Sequence, residues 1–598
     1  MNAAEIISLN ATTLESALSR MPGIHTTLSP KNESQIFLRG FSQTQVAMLM
    51  DGVPIYLPYD QLLDLDFLSV HSIEKITVTK SMPSVLYGPN SMGGIVNIVT
   101  AQRSEPPHAS VTAQAGNENS FRADASGSYN QFYLNAGGAY SNSNGFAMSG
   151  SAPESIFQSG SLRSNSQSMK RSAFIKTGFQ DISTIDAAVS LLVADGDKGI
   201  PTSMFTAKPR YWRFTDWGKT IANFMVAADL SRSMTIRGNV YYEKFGNTLD
   251  AYDDSLFLTQ LKPSSFHSVY DDDTYGVNGS LRIEGLFAEV TKVSAAYKKD
   301  RHTESGNFNQ PFKRYETDTY SVGLEQDLLL FKEYHVVAGM GNDWMVPVYA
   351  NGSSLRASVS LLNGYLGISK LFFEETTLYA HISRKGRFPA MKEFYAEILG
   401  RNSPNPDLKS EIALNTEAGV DFNFMPQLKL HSAVFLNDIQ DLIQSVVIRP
   451  GVQQYQNIGQ AEFRGIEVSA AYDQPIGQFS LNYIYLSARN TTPGAATSHL
   501  EYRPEHTFNA AYRKTWDIGL TFSGEITAVS SFYGVDVDTR VQHELSSYTL
   551  INIGVTQAIT SEVRVFARVN NLLDKFYQAD YGFPAPGREW LIGLSGDW

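Results

Sequence analysis

From about residue 110 to its end the chain alternates between apolar and polar positions with a period of two. Phe132, Leu134, Ala136 and Tyr140 share one face, against Gln131, Tyr133 and Asn135. Leu414, Thr416, Ala418, Val420 and Phe422 oppose Asn415, Glu417, Gly419 and Asp421, and Val563, Val565, Ala567 and Val569 oppose Arg564, Phe566, Arg568 and Asn570. Such alternation predicts β-strands with one apolar face. Gly-, Asn- and Ser-rich connections separate them. A polar second face, repeated this often, suits a barrel whose bore is wet or filled by polar protein. A soluble sandwich would turn its apolar face inward and would rarely run for nearly 500 residues. The final strand puts Trp590, Ile592, Leu594, Gly596 and Trp598 on one face and ends on the aromatic, where an ordinary domain more often trails off in polar residues.

The first hundred residues have another texture. Leu14, Ala17, Leu18 and Met21 carry helical spacing, and Pro22-Gly23 stops that helix. Ile36–Leu38 and Val46–Met50 are short apolar runs of the kind buried strands show, followed by the turn signals Arg39-Gly40 and Asp51-Gly52. Ile73, Ile76 and Val78 predict a strand, and so does the run Ile95–Val99. Pro83, Gly88, Pro89, Gly93 and Gly94 break the segment between them. A compact α/β unit is expected over residues 1–105. The polar segment 101–108, with its Pro-Pro pair, reads as a linker, and residues 106–598 as the barrel.

Bulk composition narrows the function classes. The chain has 598 residues and a net charge of −12, which argues against a nucleic-acid surface. There is no cysteine, so neither disulfides nor thiolate metal sites are available. Aromatics make up 12% of residues, which fits girdles at two membrane interfaces, although a large β-rich soluble enzyme would also show it. No apolar run reaches the ~18 residues of a transmembrane helix, but barrel strands span with far weaker signals. GxSxG, HExxH and P-loop patterns are absent, and no acid/base pair stands out, so enzymatic activity is not expected.

The segment from Ile73 to Thr100 resembles the plug signature of the TonB-dependent outer-membrane receptors. Leu86-Tyr87-Gly88, Met92-Gly93-Gly94 and Ile95–Thr100 stand in that family's order and spacing, as do the upstream blocks LESALSRMPGI, FLRGF and MLMDGVPI. Barrel blocks agree: Phe388-Pro389-Ala390, Asn405–Lys409, Asn457-Ile458-Gly459, Arg464–Glu467, Asn570–Asp574 and Pro586-Gly587-Arg588. The terminal strand ending in Trp598 resembles the family's assembly signal. The resemblance implies a transmembrane antiparallel β-barrel of about 22 strands with an N-terminal α/β plug in its lumen. Roughly 490 residues over that many strands leave about 22 for each strand and its connection; 20 or 24 strands would fit as well.

What the resemblance implies for function is active import. A ligand binds outside, the plug transmits this, and the TonB-ExbB-ExbD complex pulls on the N-terminus. In the family two plug arginines meet two barrel glutamates, and the matching positions here are Arg39, Glu417 and Glu467, with Lys80 in place of the second arginine. An ammonium is a point charge where a guanidinium is a fork, so the latch is expected to be looser there. Ser81-Met82 also departs from the glycine usual after it. Alternation puts Glu417 and Glu467 on the inward face, though both would also suit ordinary solvated charges. A hydrated interface of such pairs would rearrange at low cost, since exposed pairs are worth ~0–1 kcal/mol each.

The ligand is expected to be a ferric siderophore, which makes iron transport the expected role, with cobalamin or another metal chelate as the alternative. Arg210, Trp212 and Arg213 could grip an anionic chelate, although such Trp/Arg mixtures more often serve as interfacial girdle residues. Asp250, Asp253 and Asp254, and then Asp271, Asp272 and Asp273, form two acidic clusters expected in extracellular loops. They are candidates for Ca2+, although their spacing is not that of an EF-hand. No other cofactor is required. Residues 391–404 lack the histidine a haem receptor would carry, and His25 and His71 are isolated. Neither a signal peptide nor a TonB box is recognisable, so both are expected to lie outside this chain. The expected partners are the TonB complex, outer-membrane lipid and the ligand, with no nucleic acid, and a monomer is expected. A passive porin or adhesin barrel is the alternative of another class.

Overall fold

The computed structural model describes residues 1–598 apart from 10, 103–105, 183, 287, 353, 354, 374, 398–401, 451 and 496. Among the described residues 22 antiparallel strands close into one barrel. They run in chain order from His108–Gly116 to Glu589–Asp597, and these two seal the cylinder in a register from Leu591↔Gly116 to Asp597↔Ser110. Lengths range from 8 residues in Val563–Asn570 to 23 in Val452–Gln474. Since ~9–11 residues cross a bilayer, the longer strands project well beyond it. Short turns gather at one rim, as between Tyr129 and Phe132. Long connections gather at the other, as between Ser143 and Ser168 or Arg387 and Glu411.

The alternation decides which side faces lipid. Leu134 is 49% exposed while its neighbour Asn135 is 2% exposed, and on Val359–Phe372 the exposed Leu362, Leu366 and Ile368 alternate with the buried Leu361, Asn363 and Tyr365. The exposed apolar band is the outer surface, and the inward face is covered by the plug. No described helix is long and apolar enough to cross a membrane.

The plug begins with two short capped helices. Ala3–Ser8 is closed by a capping box between Asn2 and Glu5, and Leu14–Leu18 by one between Thr13 and Ser16. The second helix stops a turn earlier than its spacing predicts. Met21 is buried, but it sits in the turn that Pro22 forces, because a residue before proline disfavours helix. A three-stranded sheet follows (Ile24–Leu28, Ser34–Leu38, Phe41–Ser42), and then a four-stranded one in which Gly94–Thr100 lies between Val46–Met50, parallel to it, and Ile73–Lys80, antiparallel. This central position explains its nearly continuous apolar run. Gly94 has φ +141°, and a Cβ there would lie 2.3 Å from the Thr79 carbonyl, so only glycine lets the two strands meet.

The plug–barrel interface is more apolar than a purely hydrated latch would be. One hydrophobic cluster runs from Leu38, Val96 and Ile98 in the plug into Trp217, Phe435 and Phe463 of the wall. Phe67 stacks on Trp217 at 4.2 Å, and Phe41 meets Phe463 edge-on at 5.1 Å. Part of the linker, residues 103–105, lies outside the described residues. On either side of them Asn135 Nδ2 donates to the Ala101 carbonyl at 2.9 Å, and the first barrel strand starts at His108.

Candidate functional site: the plug–barrel latch and the long-connection rim

The tight turn from Ser34–Leu38 into Phe41–Ser42 aims Arg39 at the wall. Arg39 and Gly40 both have positive φ, +48° and +92°, and a Cβ on Gly40 would press on the Phe463 ring at 3.1 Å. The Arg39 amide donates to the Gly23 carbonyl at 2.9 Å. Its guanidinium then spans two barrel strands: Nε donates to Glu467 Oε2 at 2.8 Å, while Nη1 donates to Glu417 Oε2 and, at 3.0 Å, to Ser81 Oγ. Phe435 backs the guanidinium, 4.6 Å from ring centre to Cζ, and Tyr379 donates to the other Glu417 oxygen at 2.8 Å.

Lys80 ends the strand Ile73–Lys80 and reaches Glu467 Oε1 alone. It therefore grips one carboxylate where Arg39 grips two. Ser81, at φ +54°, occupies a backbone shape that glycine would adopt more easily, and its hydroxyl gives the Arg39 fork a further acceptor. Burial pushes the Lys80 ammonium below its ordinary range, opposed by Glu467. Burial also works against the Arg39 charge, but Glu467 and Glu417 outweigh it and raise its pKa.

The latch is dry. Arg39, Glu417 and Glu467 are 3%, 5% and 1% exposed. The low cost of exposed ion pairs therefore does not apply to it. Removing one partner of a buried pair leaves a charge without compensation and costs about 3–5 kcal/mol.

A second tie went unread in the sequence. Gln45 Nε2 of the plug donates to Glu411 Oε2 at 2.8 Å, and Arg387 donates to the same carboxylate at 2.9 Å while also gripping Glu393 at 2.9 and 3.1 Å. The signal was available: Glu411 continues the inward series through Ala413, Asn415 and Glu417.

At the long-connection rim, Arg210, Trp212 and Arg213 lie together. Arg210 sits over the Trp212 ring at 5.0 Å, and Arg213 stacks on Phe257 at 3.8 Å and donates to Asn165 at 3.0 Å. The six aspartates do not converge, and four of them are on strands rather than in loops: Asp250 on Met234–Ala251, and Asp271, Asp272 and Asp273 on Phe266–Glu284. The strands extend farther than the acidic composition suggested because each carboxylate finds a cross-strand or loop donor. Asp273 takes Arg301 at 3.0 Å, Asp271 takes Lys244, and Asp272 lies 2.6 Å from His302. Asp250 accepts from Thr215 at 2.6 Å and Gln260 at 3.0 Å, and Asp254 accepts from the Leu256 amide at 2.9 Å. Asp253 accepts from Ser265 and the Leu261 and Lys262 amides, and these donors hold its carboxyl well below the usual range.

Comparison with known proteins places this geometry. A model described as "TonB dependent receptor-like, beta-barrel" matches residues 101–572, and one described as "TonB-dependent Receptor Plug Domain" matches residues 1–95. The chain is 22% identical over 624 residues to the vitamin B12 transporter BtuB of Vibrio vulnificus (strain YJ016), covering 100% of this chain and 90% of that protein. Among solved structures it resembles the copper transporter OprC (TM-score 0.82, 16% identity, 98% of this chain and 97% of that one). It also resembles the siderophore receptor PirA of Acinetobacter baumannii (TM-score 0.81, 16% identity, 100% of this chain and 98% of that one).

Proposed function

This chain belongs to the family of TonB-dependent receptors, and on that premise we propose that it imports a ferric siderophore across the outer membrane at the expense of energy delivered by TonB with ExbB and ExbD. The family is one of receptors and transporters, and the barrel is an outer-membrane, multi-pass one. The observation that carries the proposal is the plug itself, lodged in the bore and tied to the wall by the buried Arg39–Glu417–Glu467 cluster. A filled bore does not serve passive diffusion, so a porin or adhesin is not favoured. An interface this dry needs work done on it before a bulky solute passes, which is the reason for an energy-coupling partner.

The ligand class rests on less. Guanidinium groups paired with aromatic rings at the outer rim suit an anionic chelate. Solved structures of the same fold include two siderophore receptors and a ferric-catecholate import receptor. Cobalamin is the second reading, favoured by the match to a vitamin B12 transporter. The protein is read as a monomer in lipid.

Uptake of radiolabelled ferric chelates and of labelled cobalamin by a strain deleted for this gene, with and without the chain restored, separates the two readings. Iron uptake that requires both the chain and TonB supports the proposal. Cobalamin uptake alone replaces the ligand, and uptake that continues without TonB removes the energised mechanism.

A further inference from the structure

One side of the plug is not sealed. Between it and the barrel wall lies a cavity of about 570 Å3, lined among others by Asp51, Asn97 and Gln102 of the plug and by Lys176, Asn239 and Lys298 of the barrel. It opens toward the short-turn rim. On Met234–Ala251 the inward residues go from exposed Arg237 through half-buried Asn239 to Tyr241, Glu243 and Phe245, which are 5%, 2% and 1% exposed. Solvent therefore rises along this wall and stops below Tyr56.

Tyr56 closes the head of the cavity. Its hydroxyl donates to Asp300 Oδ2 at 2.7 Å and is contacted by the Lys298 ammonium, which also lies 4.3 Å from its ring centre and 3.0 Å from Asp300. Lys219, itself paired with Glu243, donates to the Tyr56 carbonyl at 3.0 Å. The residues that follow fold back on themselves: the Leu57 amide donates to the Leu62 carbonyl at 3.0 Å, and Gln61 to Leu57 at 2.9 Å. Tyr59 then stacks on His302 at 4.0 Å. None of residues 56–61 belongs to the plug's sheets. The segment is a strap pinned to the wall by side chains and by the Lys392 amide, which donates to the Tyr59 carbonyl at 2.8 Å, and it can swing without breaking a sheet. The Arg39 latch faces different strands, Glu411–Met425 and Val452–Gln474.

We infer that Tyr56 is the gating residue of a translocation route that runs down the wall lined by Lys176, Asn239 and Lys298, so that lifting the strap joins the long-connection side of the plug to the passage already open below while the Arg39 side stays fixed. This rests on the reading of the chain as an importer. The lining mixes Lys176 paired with Asp51, Lys298 paired with Asp300, Asp186, Arg237 and several amides, which suits a polar solute. The gate's strength lies in one aromatic side chain held by two lysines and an aspartate.

The test is conductance of the purified full-length protein in a planar lipid bilayer, which needs neither ligand nor TonB and so stands or falls apart from the uptake experiment. Tyr56→Ala is expected to gain a steady conductance that the wild type lacks. Tyr56→Phe, which keeps the ring over Lys298, is expected to show brief openings only. Lys298→Ala removes one of the groups that hold Tyr56 without altering the plug, leaves Asp300 and Lys219 in place, and is expected to show openings that the wild type lacks. Folding is checked for each by resistance of the barrel to detergent before heating. The chain has no cysteine, so in the Tyr56→Ala background a charged thiol reagent should reduce the current at Asn239→Cys and leave it unchanged at Thr527→Cys on the opposite wall. Folded Tyr56→Ala and Lys298→Ala proteins as closed as the wild type overturn the inference. So does block at Thr527→Cys, or block at neither position.

Discussion

Arg39 Nε lies 2.8 Å from Glu467 Oε2, across 428 residues of chain, and the same carboxylate also receives Lys80. Glu467 thus joins two separate plug turns to one barrel strand. Arg39 carries more of this tie, because it alone also reaches Glu417. Arg39→Ala should cost the plug about 3–5 kcal/mol, leaving two glutamates short of their partner, and Lys80→Ala less. Hydrogen exchange of the plug amides reads the difference directly. Equal effects from the two variants would show that the fork geometry is irrelevant.

Lys80→Arg restores a second fork. Half-buried Lys80 sits beside Ser81 and Glu467, and a guanidinium there can donate to both carboxylate oxygens. Exchange at residues 34–38 and 73–80 should slow, and uptake should demand more of the energy-coupling partner. Faster exchange would mean that the larger head does not fit the space the ammonium fills.

Gly23 is the quiet member of the cluster. Its φ is +78°, and a Cβ would lie 2.9 Å from Glu467 Oε2 and 3.3 Å from Lys80 Nζ. Gly23→Ala should cost about 1–2 kcal/mol for the left-handed backbone alone, with a further loss from displaced Glu467. A denaturation midpoint of the plug unchanged from wild type would refute both contributions.

These three sites differ in how far sequence exposes them. Arg39 and Glu467 could be paired before any coordinates because alternation gives the side of the sheet and the motif gives the partner. Gly23 could not, since nothing local says that its missing side chain makes room for a carboxylate hundreds of positions away. The strand alternation likewise set which face of Leu134 and Asn135 meets lipid. It could not tell that Asp272 finds His302 or that Asp253 is satisfied by its own loop, because those partners depend on register and loop closure. Dryness was equally hidden: the sequence shows charges, but only packing against Phe435 and Phe463 removes the water that would have made the latch cheap to break.

Two plug histidines predict a pH response. Burial lowers His25 to about 4, and burial together with Arg122 lowers His71 to about 4. No described group bonds Nε2 of either ring. The unfolded rings titrate near ~6.5. Above that pH neither state is protonated and the stability is complete. As pH falls from about 6.5 to about 4 the unfolded plug takes up protons that the folded plug refuses, at a limit of about 1.4 kcal/mol per pH unit per histidine. The plug's unfolding midpoint should therefore drop through this window and stop responding to these groups below it. The double variant His25→Gln, His71→Gln should flatten the profile, and a wild-type profile that is already flat would exclude the mechanism.

The closing seam tests the membrane face. Ile592 is 50% exposed near the middle of Glu589–Asp597, opposite Ala567 on one side and Ala115 on the other, while Leu591 points inward. In lipid an arginine at Ile592 loses hydration that nothing in hydrocarbon replaces, at about 2–4 kcal/mol near the midplane. The inward Leu591→Asn meets a polar bore beside Gly116 and should cost much less. Guanidinium-induced unfolding from lipid vesicles compares the two. If Ile592→Arg were tolerated as well as Leu591→Asn, the apolar stripe of the last strand would not be facing hydrocarbon, because only removal from water separates two substitutions made one residue apart on the same strand.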